Sequence, residues 1–553
     1  MRPIDWLIAS GLALSSVLAL TGGFWMDVSG VRIGVHDWTR PAVITTVLVG
    51  LRIWHGWPRG AASGVAAPVA LASARVVLLA ACLTSIGYWL VYLTTICGGS
   101  DSYGYVSASQ FILRGQLIQP QDVATWLPVS DPLGVATPAG HTSAAAGTGI
   151  APMYPLGFPA LMALATILAG SVGPFLVPPV CAVVCLLLAR QIGTTWYGPL
   201  AGWLAATFVA WDALFVTYAK QPMSDVPATM WTLLSILWLT KPSPWVLGAG
   251  VAAGASFVTR PGGLGVICVL TALAAWGSDG RTRRLAAFLT GLAPFVVFQA
   301  LLQWRLYGSP LVSGYGAVAG LYTGATVLAN LGIYLGAMWH AHSWVWIVGA
   351  AAAWFVPRRP GAGLAVSMLV VSAIPYLLYF QFDHWETLRF LMPAIVTLSI
   401  VSAGGIVSLA DRIGPGWVAP AVATLCALVV AVQSERFLEQ QDVPRLMDAE
   451  MRYPLTAEHI RRTTPPDAVV FAAQHSGSIR YYADRLTLRW DVIRPEEMEA
   501  AIAALAERGH PAYVALEGTE QKRFRDLFAE PLTRLHLYPH GVVRNVEVWE
   551  LGR

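Results

Sequence analysis

The chain has 553 residues, of which 56% are hydrophobic and only 12% charged; it carries 23 Trp, and its mean hydropathy is +0.58. Soluble domains carry about 25% charged residues, so a cytosolic enzyme, a disordered chain and a nucleic-acid-binding module all fit poorly, and a polytopic membrane protein is the reading left. The net charge of +4 is loop charge and is unevenly spread: residues 1–434 hold 19 Lys/Arg and 12 Asp/Glu, residues 435–553 hold 16 and 19.

The N-terminal MRPIDWLIASGLALSSVLAL lacks a small-x-small cleavage site and reads as a retained first helix. A spanning helix needs about 20 apolar residues. Apolar runs occur near 6–25, 40–55, 74–97, 156–170, 174–192, 196–218, 226–240, 244–258, 261–277, 285–304, 343–356, 363–381, 390–410 and 417–434. The basic clusters Arg52/Arg59/Arg75, Arg281/Arg283/Arg284 and Arg358/Arg359 can all face the cytoplasm only if 156–170, broken by Pro155 and Pro159, does not cross. Thirteen helices are then predicted to cross, with residues 435–553 outside. The tail alternates strand and helix patterns: AVVFAAQ, EEMEAAIAALAERG, AYVALEG, QKRFRDLFAE, LTRLHLY and VVRNVEVWEL. The predicted fold class is a polytopic α-helical membrane protein with a small extracytoplasmic α/β domain. Its parts are an added helix pair (1–70), a membrane domain (71–434) with a long outer loop (98–155), and the soluble domain (435–553).

The polar residues of interest converge on the outer face. Asp101 opens GGSDSYGYVSASQFILRGQL after the third helix, and Tyr103 to Leu113 has the spacing of a helix lying in the interface. Asp225 opens a helix in AKQPMSDVPATMW. Each acid reads either as a helix-start residue or as half of a carboxylate pair that divides base and orienting roles or holds a cation. Arg260, Arg305 and Arg389 sit at the outer edge against the positive-inside bias, suited to phosphate or to snorkelling toward lipid. His384 and Glu386 flank the same helix start as Arg389. His141, His340 and His342 show no HxxxH or HExxH spacing, no GxSxG, GxGxxG or P-loop pattern is present, and the six cysteines follow no metal or disulfide pattern. The polar and aromatic run 475–491 suits acceptor recognition or domain packing.

The order DSYGY, YPLGFP, SDVPA, FVTRP, YGSPLVSGYG, RFLMP resembles the glycosyltransferase-C superfamily, in particular bacterial membrane enzymes akin to protein O-mannosyltransferases and lipid A aminoarabinose transferases, over about residues 75–410. Two departures stand out: the acidic loop follows the third helix, and Asp-Ser replaces Asp-Glu, which leaves metal dependence and acceptor type open. The resemblance implies an inner-membrane transferase of a hexosyl or pentosyl group from a polyprenyl-phosphate-linked sugar to a lipid, glycan or protein acceptor. It makes Asp101 the base, Asp225 the second acid, and Arg260, Arg389 and Arg305 the donor-phosphate ligands. Tyr103, Tyr154, Tyr315, His384 and Glu386 are substrate-side candidates. No cofactor is certain, and a divalent metal is left open. Loop 98–155 is expected to close over the donor. The competing class is a transporter or flippase of lipid-linked sugars, which would be expected to carry midplane charges and an internal repeat; the helices here are almost uncharged.

Overall fold

The computed structural model describes residues 66–552 apart from 148, 242–243, 276–279 and 356–360, together with Ser10, Gly11, Leu14 and an antiparallel strand pair, β1 (Phe24–Val28) and β2 (Val31–Val35). Most of the expected helix 6–25 and all of 40–55 lie outside the described residues.

The apolar runs form helices because a lipid-facing backbone must satisfy its N–H and C=O groups internally. In chain order they are α1 (Ala66–Val91), α2 (Asp101–Leu113), α3 (Gly157–Ala169), α4 (Gly173–Tyr197), α5 (Pro199–Ala210), α6 (Ala213–Ala219), α7 (Asp225–Leu239), α8 (Pro244–Thr259), α9 (Leu264–Ala275), α10 (Arg281–Tyr307), α11 (Val327–Ala341), α12 (Trp344–Trp354), α13 (Gly361–Leu377), α14 (Met392–Ile413) and α15 (Val418–Gln440). By length and apolarity, five described stretches reach across a bilayer, or six if α5 and α6, bent by 65°, form one broken span. One of the five, Gly157–Tyr197, is a hairpin. A Cβ on Gly173 would overlap the Ala165 carbonyl, whereas eight residues along a straight helix are about 12 Å apart. The chain therefore turns back at Gly170, whose φ is +67°. Its first arm, α3, has 13 residues and spans about 20 Å, short of a core of about 30 Å. Several other apolar helices also fall short of 18 residues, so thirteen crossings remain a proposal about the bilayer.

α14 is the buried centre of the bundle. Small residues let its neighbours approach: a Cβ on Gly405 would overlap the Gly349 carbonyl of α12, and one on Gly349 the Ser402 carbonyl.

The tail forms a five-stranded mixed sheet, β8 (Val469–Ala472), β9 (Leu486–Leu488), β10 (Ala512–Glu517), β11 (His536–Val543) and β12 (Val546–Gly552), in the order β11-β12-β10-β8-β9. (β3 to β7 are the two- to four-residue strands Gln119–Pro120, His141–Ser143, Gly149–Pro152, Val312–Ser313 and Gly316–Ala317.) Period-2 alternation splits the side chains between two cores. Val470, Ala472, Tyr513 and Ala515 face α16 (Arg452–Thr463) and α17 (Ser476–Ala483). Val469, Phe471, Val514 and Leu516 face α18 (Met498–Glu507) and α19 (Glu520–Leu527).

The second core also takes in Val123, Leu127, Val135 and Ala136 of the long loop. Part-buried Arg480 fastens the same segment, donating to Gln121 Oε1 (2.8 Å) and to the Ala136 carbonyl (2.6 Å), while the Ala139 N–H donates to Ser476 Oγ (3.0 Å). This part of loop 98–155 is thus part of the α/β unit, not a free flap. The 475–491 run is largely internal packing, with His475, Ser476 and Trp490 buried. α2 also differs from an interfacial helix: nine of its 13 residues are buried. It lies between α3, where Tyr105 meets Phe158 edge-on at 5.0 Å, and α17, where Tyr103 covers Gly477.

Candidate functional site

Asp101 is the first residue of α2 and Asp225 the first of α7, and neither serves as a cap: Ser100 and Ser224 hold the cap positions. A helix N-terminus favours a carboxylate, which leaves both side chains free to reach other elements. Asp101 Oδ1 accepts a 2.5 Å hydrogen bond from the Tyr154 hydroxyl, which also lies 2.8 Å from Ser100 Oγ. Asp101 Oδ2 accepts from Arg389 Nη1 at 3.2 Å. Asp225 is 1% exposed and pairs with Arg260 Nη1 at 3.1 Å. That contact is an ion pair not aligned as a hydrogen bond, so both Asp225 oxygens keep acceptor capacity among the described residues.

Two bridges join the pairs into one site. The Phe390 ring lies between the guanidiniums, 5.3 Å from Arg260 and 5.4 Å from Arg389, within cation–π range. Arg260 Nη1 also donates to Ser224 Oγ (3.2 Å), which meets the Tyr105 hydroxyl at 2.9 Å, and the Tyr105 ring packs on Tyr154 at 4.6 Å. Tyr218 lies beneath Arg389 at 5.8 Å, and the stacked ring of Tyr376 backs Phe390 at 4.7 Å. Among the described residues each arginine spends only part of its five N–H donors. Two acids and two guanidiniums leave the cluster electrically balanced, with spare donors for a further anion.

Tyr154 and Tyr315 belong to the cluster, the half-exposed Tyr315 ring standing edge-on to Tyr154 at 5.9 Å. The other candidates are not brought in. Arg305 lies exposed in the last turn of α10, without an ion pair among the described residues. His384 and Glu386 are exposed in the turn before α14 and make no side-chain hydrogen bond or ion pair to the cluster among the described residues, although the Glu386 charge is near enough to act on Tyr218. Tyr103 faces Gly477 and His141, because it sits two residues from Asp101 and so on the opposite side of α2. Tyr105, Ser224, Phe390 and Tyr218 were not singled out from sequence. Only Tyr105 left a signal: four residues past Asp101, it shares that helix face. As for a metal, no three His, Cys, Asp or Glu gather among the described residues. Each site acid faces an arginine, which is not a donor set for a divalent cation.

Beside the cluster, an apolar cavity of about 580 Å³ is lined by Ile112, Leu117, Leu156, Val258, Phe295 and Phe298, among others. Gly157 of the cavity wall packs on the Val258–Thr259 backbone, next to Arg260, while no side chain of the charged cluster lines the cavity. The His141 imidazole is held neutral: burial, and then the Arg480 charge, push its pKa down to about 3.

No protein-family model matches the chain, and no curated protein matches its sequence. Among solved structures, ArnT from Cupriavidus metallidurans bound to undecaprenyl phosphate is similar at a TM-score of 0.55 and 13% identity, over 86% of this chain and 97% of that one. Its apo form gives 0.53 and 12% over the same shares. An apo oligosaccharyltransferase from Archaeoglobus fulgidus gives 0.47 and 13%, over 80% and 69%. The chain thus shares the fold of ArnT; at this identity the likeness is one of fold alone.

Proposed function

We propose that the chain is a membrane glycosyltransferase that moves a sugar from a polyprenyl phosphate to an acceptor hydroxyl on the extracytoplasmic face of a bacterial inner membrane. The observation that carries this reading is the pair of guanidiniums beside Phe390, each next to an acid and with donors to spare, with an apolar cavity walled by Val258 nearby. A phosphate needs such donors, and an isoprenoid chain needs such a cavity. ArnT, which has this fold, was solved with undecaprenyl phosphate bound.

In the proposed reaction Asp101 accepts the acceptor's hydroxyl proton. The acceptor oxygen attacks the anomeric carbon from the side opposite the phosphate. The bond between that carbon and the phosphate oxygen breaks, inverting the centre, and polyprenyl phosphate leaves carrying the negative charge. Arg389 and Arg260 stabilise that charge as it develops. Asp225 holds Arg260 and offers its unfilled oxygens to a substrate hydroxyl. Tyr154 holds the Asp101 carboxylate in place.

The test is turnover of a panel of polyprenyl-phosphate sugars by purified protein in detergent, with and without EDTA. Asp101→Asn is expected to lower turnover by about 10²–10⁴-fold, with EDTA leaving the wild type unchanged. Donor binding without turnover in either protein would sink the transferase reading and favour transport.

A further inference from the structure

Gly98 and Gly99 bring the chain into Ser100 and Asp101, and both lie flat on one aromatic ring. A Cβ on Gly98 would overlap the Tyr453 ring, and one on Gly99 would meet the Tyr453 hydroxyl at 3.3 Å. Gly99 has φ +59°, a conformation that favours glycine. Tyr453 stands in the first turn of α16, in the α/β unit, and is 4% exposed.

A polar network holds that ring from its other sides. The Arg452 guanidinium lies 4.4 Å over the ring and donates from Nη2 to the Tyr453 hydroxyl at 3.1 Å. The fully buried His475 ring packs against it at 4.6 Å. Glu517, at the end of β10, fixes both partners, pairing with Arg452 Nε at 2.8 Å and His475 Nε2 at 3.0 Å. Glu450 takes Arg452 Nη1 at 3.2 Å. None of these groups has a part in the transfer reaction, yet they converge on a ring that touches the two residues leading into Asp101.

We infer that Tyr453 is a positioning residue for the Asp101 carboxylate. The α/β unit, through Tyr453, fixes where α2 begins, and so where Asp101 points between Tyr154 and Arg389. The inference rests on the transfer reading, with Asp101 as base. A reacting group displaced by about 1 Å can cost about 10²-fold in rate, so a brace on the backbone beside the base acts on turnover without touching substrate.

The test uses the full-length protein in detergent. Tyr453→Ala is expected to lower kcat by about 10–10²-fold with donor KM within about twofold of wild type. Tyr453→Phe, which keeps the ring, is expected to stay within about twofold in both. In an Asp101→Asn background the Tyr453→Ala loss should disappear, because a brace has no effect once its base is gone. Amide hydrogen exchange over residues 98–106 should rise in Tyr453→Ala while the membrane helices α4 and α14 stay protected. Tyr453→Ala turnover equal to wild type, or a loss that persists undiminished in the Asp101→Asn background, would overturn the positioning role. A wild type that turns over no donor sinks the transfer reading instead; exchange over 98–106 then reports on the brace alone, and no change there overturns it too.

Discussion

At the scale of single residues, the site is a set of charges whose partners limit what they can do. Asp101 is held by a phenol and a guanidinium, so its orientation depends on both. Tyr154→Phe removes one hydrogen bond to a charged group, worth about 1.5–3 kcal/mol, and turnover should fall by roughly tenfold or more. Arg389→Lys keeps the charge but replaces the planar fork with a point charge. Donor turnover should drop by about 10²-fold, most visibly in kcat if the contact strengthens as the phosphate departs. An Arg389→Lys enzyme with wild-type kcat would show that the guanidinium only balances Asp101. His141 sets a pH dependence of stability. Its folded pKa of about 3 lies below its unfolded value of about 6.5. Its contribution is therefore complete above about pH 6.5 and shrinks as pH falls toward about 3. Thermal melts of wild type should lose stability across that window, and His141→Gln should flatten the slope there.

At the scale of elements, the breaks in the helices carry as much information as the helices themselves. Asp212 sits between α5 and α6, caps α6 by accepting from the Phe215 N–H at 3.0 Å, and lies 2.9 Å from His342 Nε2, a close contact not aligned as a hydrogen bond. His342 itself marks the break between α11 and α12. The capped helix carries Tyr218 to its place beneath Arg389. Asp212→Ala loses a cap, about 1 kcal/mol, together with the close contact to His342. Asp212→Asn keeps a capping oxygen and should lose less; equal thermal destabilisation of the two variants in detergent would mean that the cap contributes nothing and the contact with His342 carries the whole loss. Such breaks also show what a single sequence reveals. The helix starts at Asp101 and Asp225 and the strands of the tail were readable because polarity and period change there. Arg260 and Arg389 were readable because arginines on an apolar helix edge need a partner. Phe390, Ser224 and Tyr218 were not readable, since an aromatic or a serine in an apolar run looks like packing until the tertiary fold sets it beside a charge. The α3–α4 hairpin was partly readable: the weakness of 156–170 as a span was visible, whereas the reversal at Gly170 depends on α3 packing back onto α4.

At the scale of the whole molecule, the long loop and the tail are one body. Val123, Leu127, Val135 and Ala136 share a core with Phe471, Trp490 and Ile502. Arg480, a part-buried cation in that body, spends its donors on Gln121, Ala136 and Thr487 and has no carboxylate partner among the described residues. No periodicity could have predicted this, because the contacts join residues more than 300 positions apart. A lid built into the α/β unit closes by moving the unit, or does not close at all, so access to the rim depends on the tail as much as on the loop. The shared core also constrains topology, since its two halves cannot lie on opposite sides of a membrane. Cys268 is the exposed member of the six cysteines, which makes Cys268→Ser a suitable background for Asp122→Cys in the loop and Lys522→Cys in the tail, both exposed positions. With a membrane-impermeant maleimide on intact cells, both variants should label. Labelling of one without the other would break the shared core. Labelling of both only after lysis would keep the core and move the charged rim to the cytoplasm, which would end the proposal of transfer on the outer face.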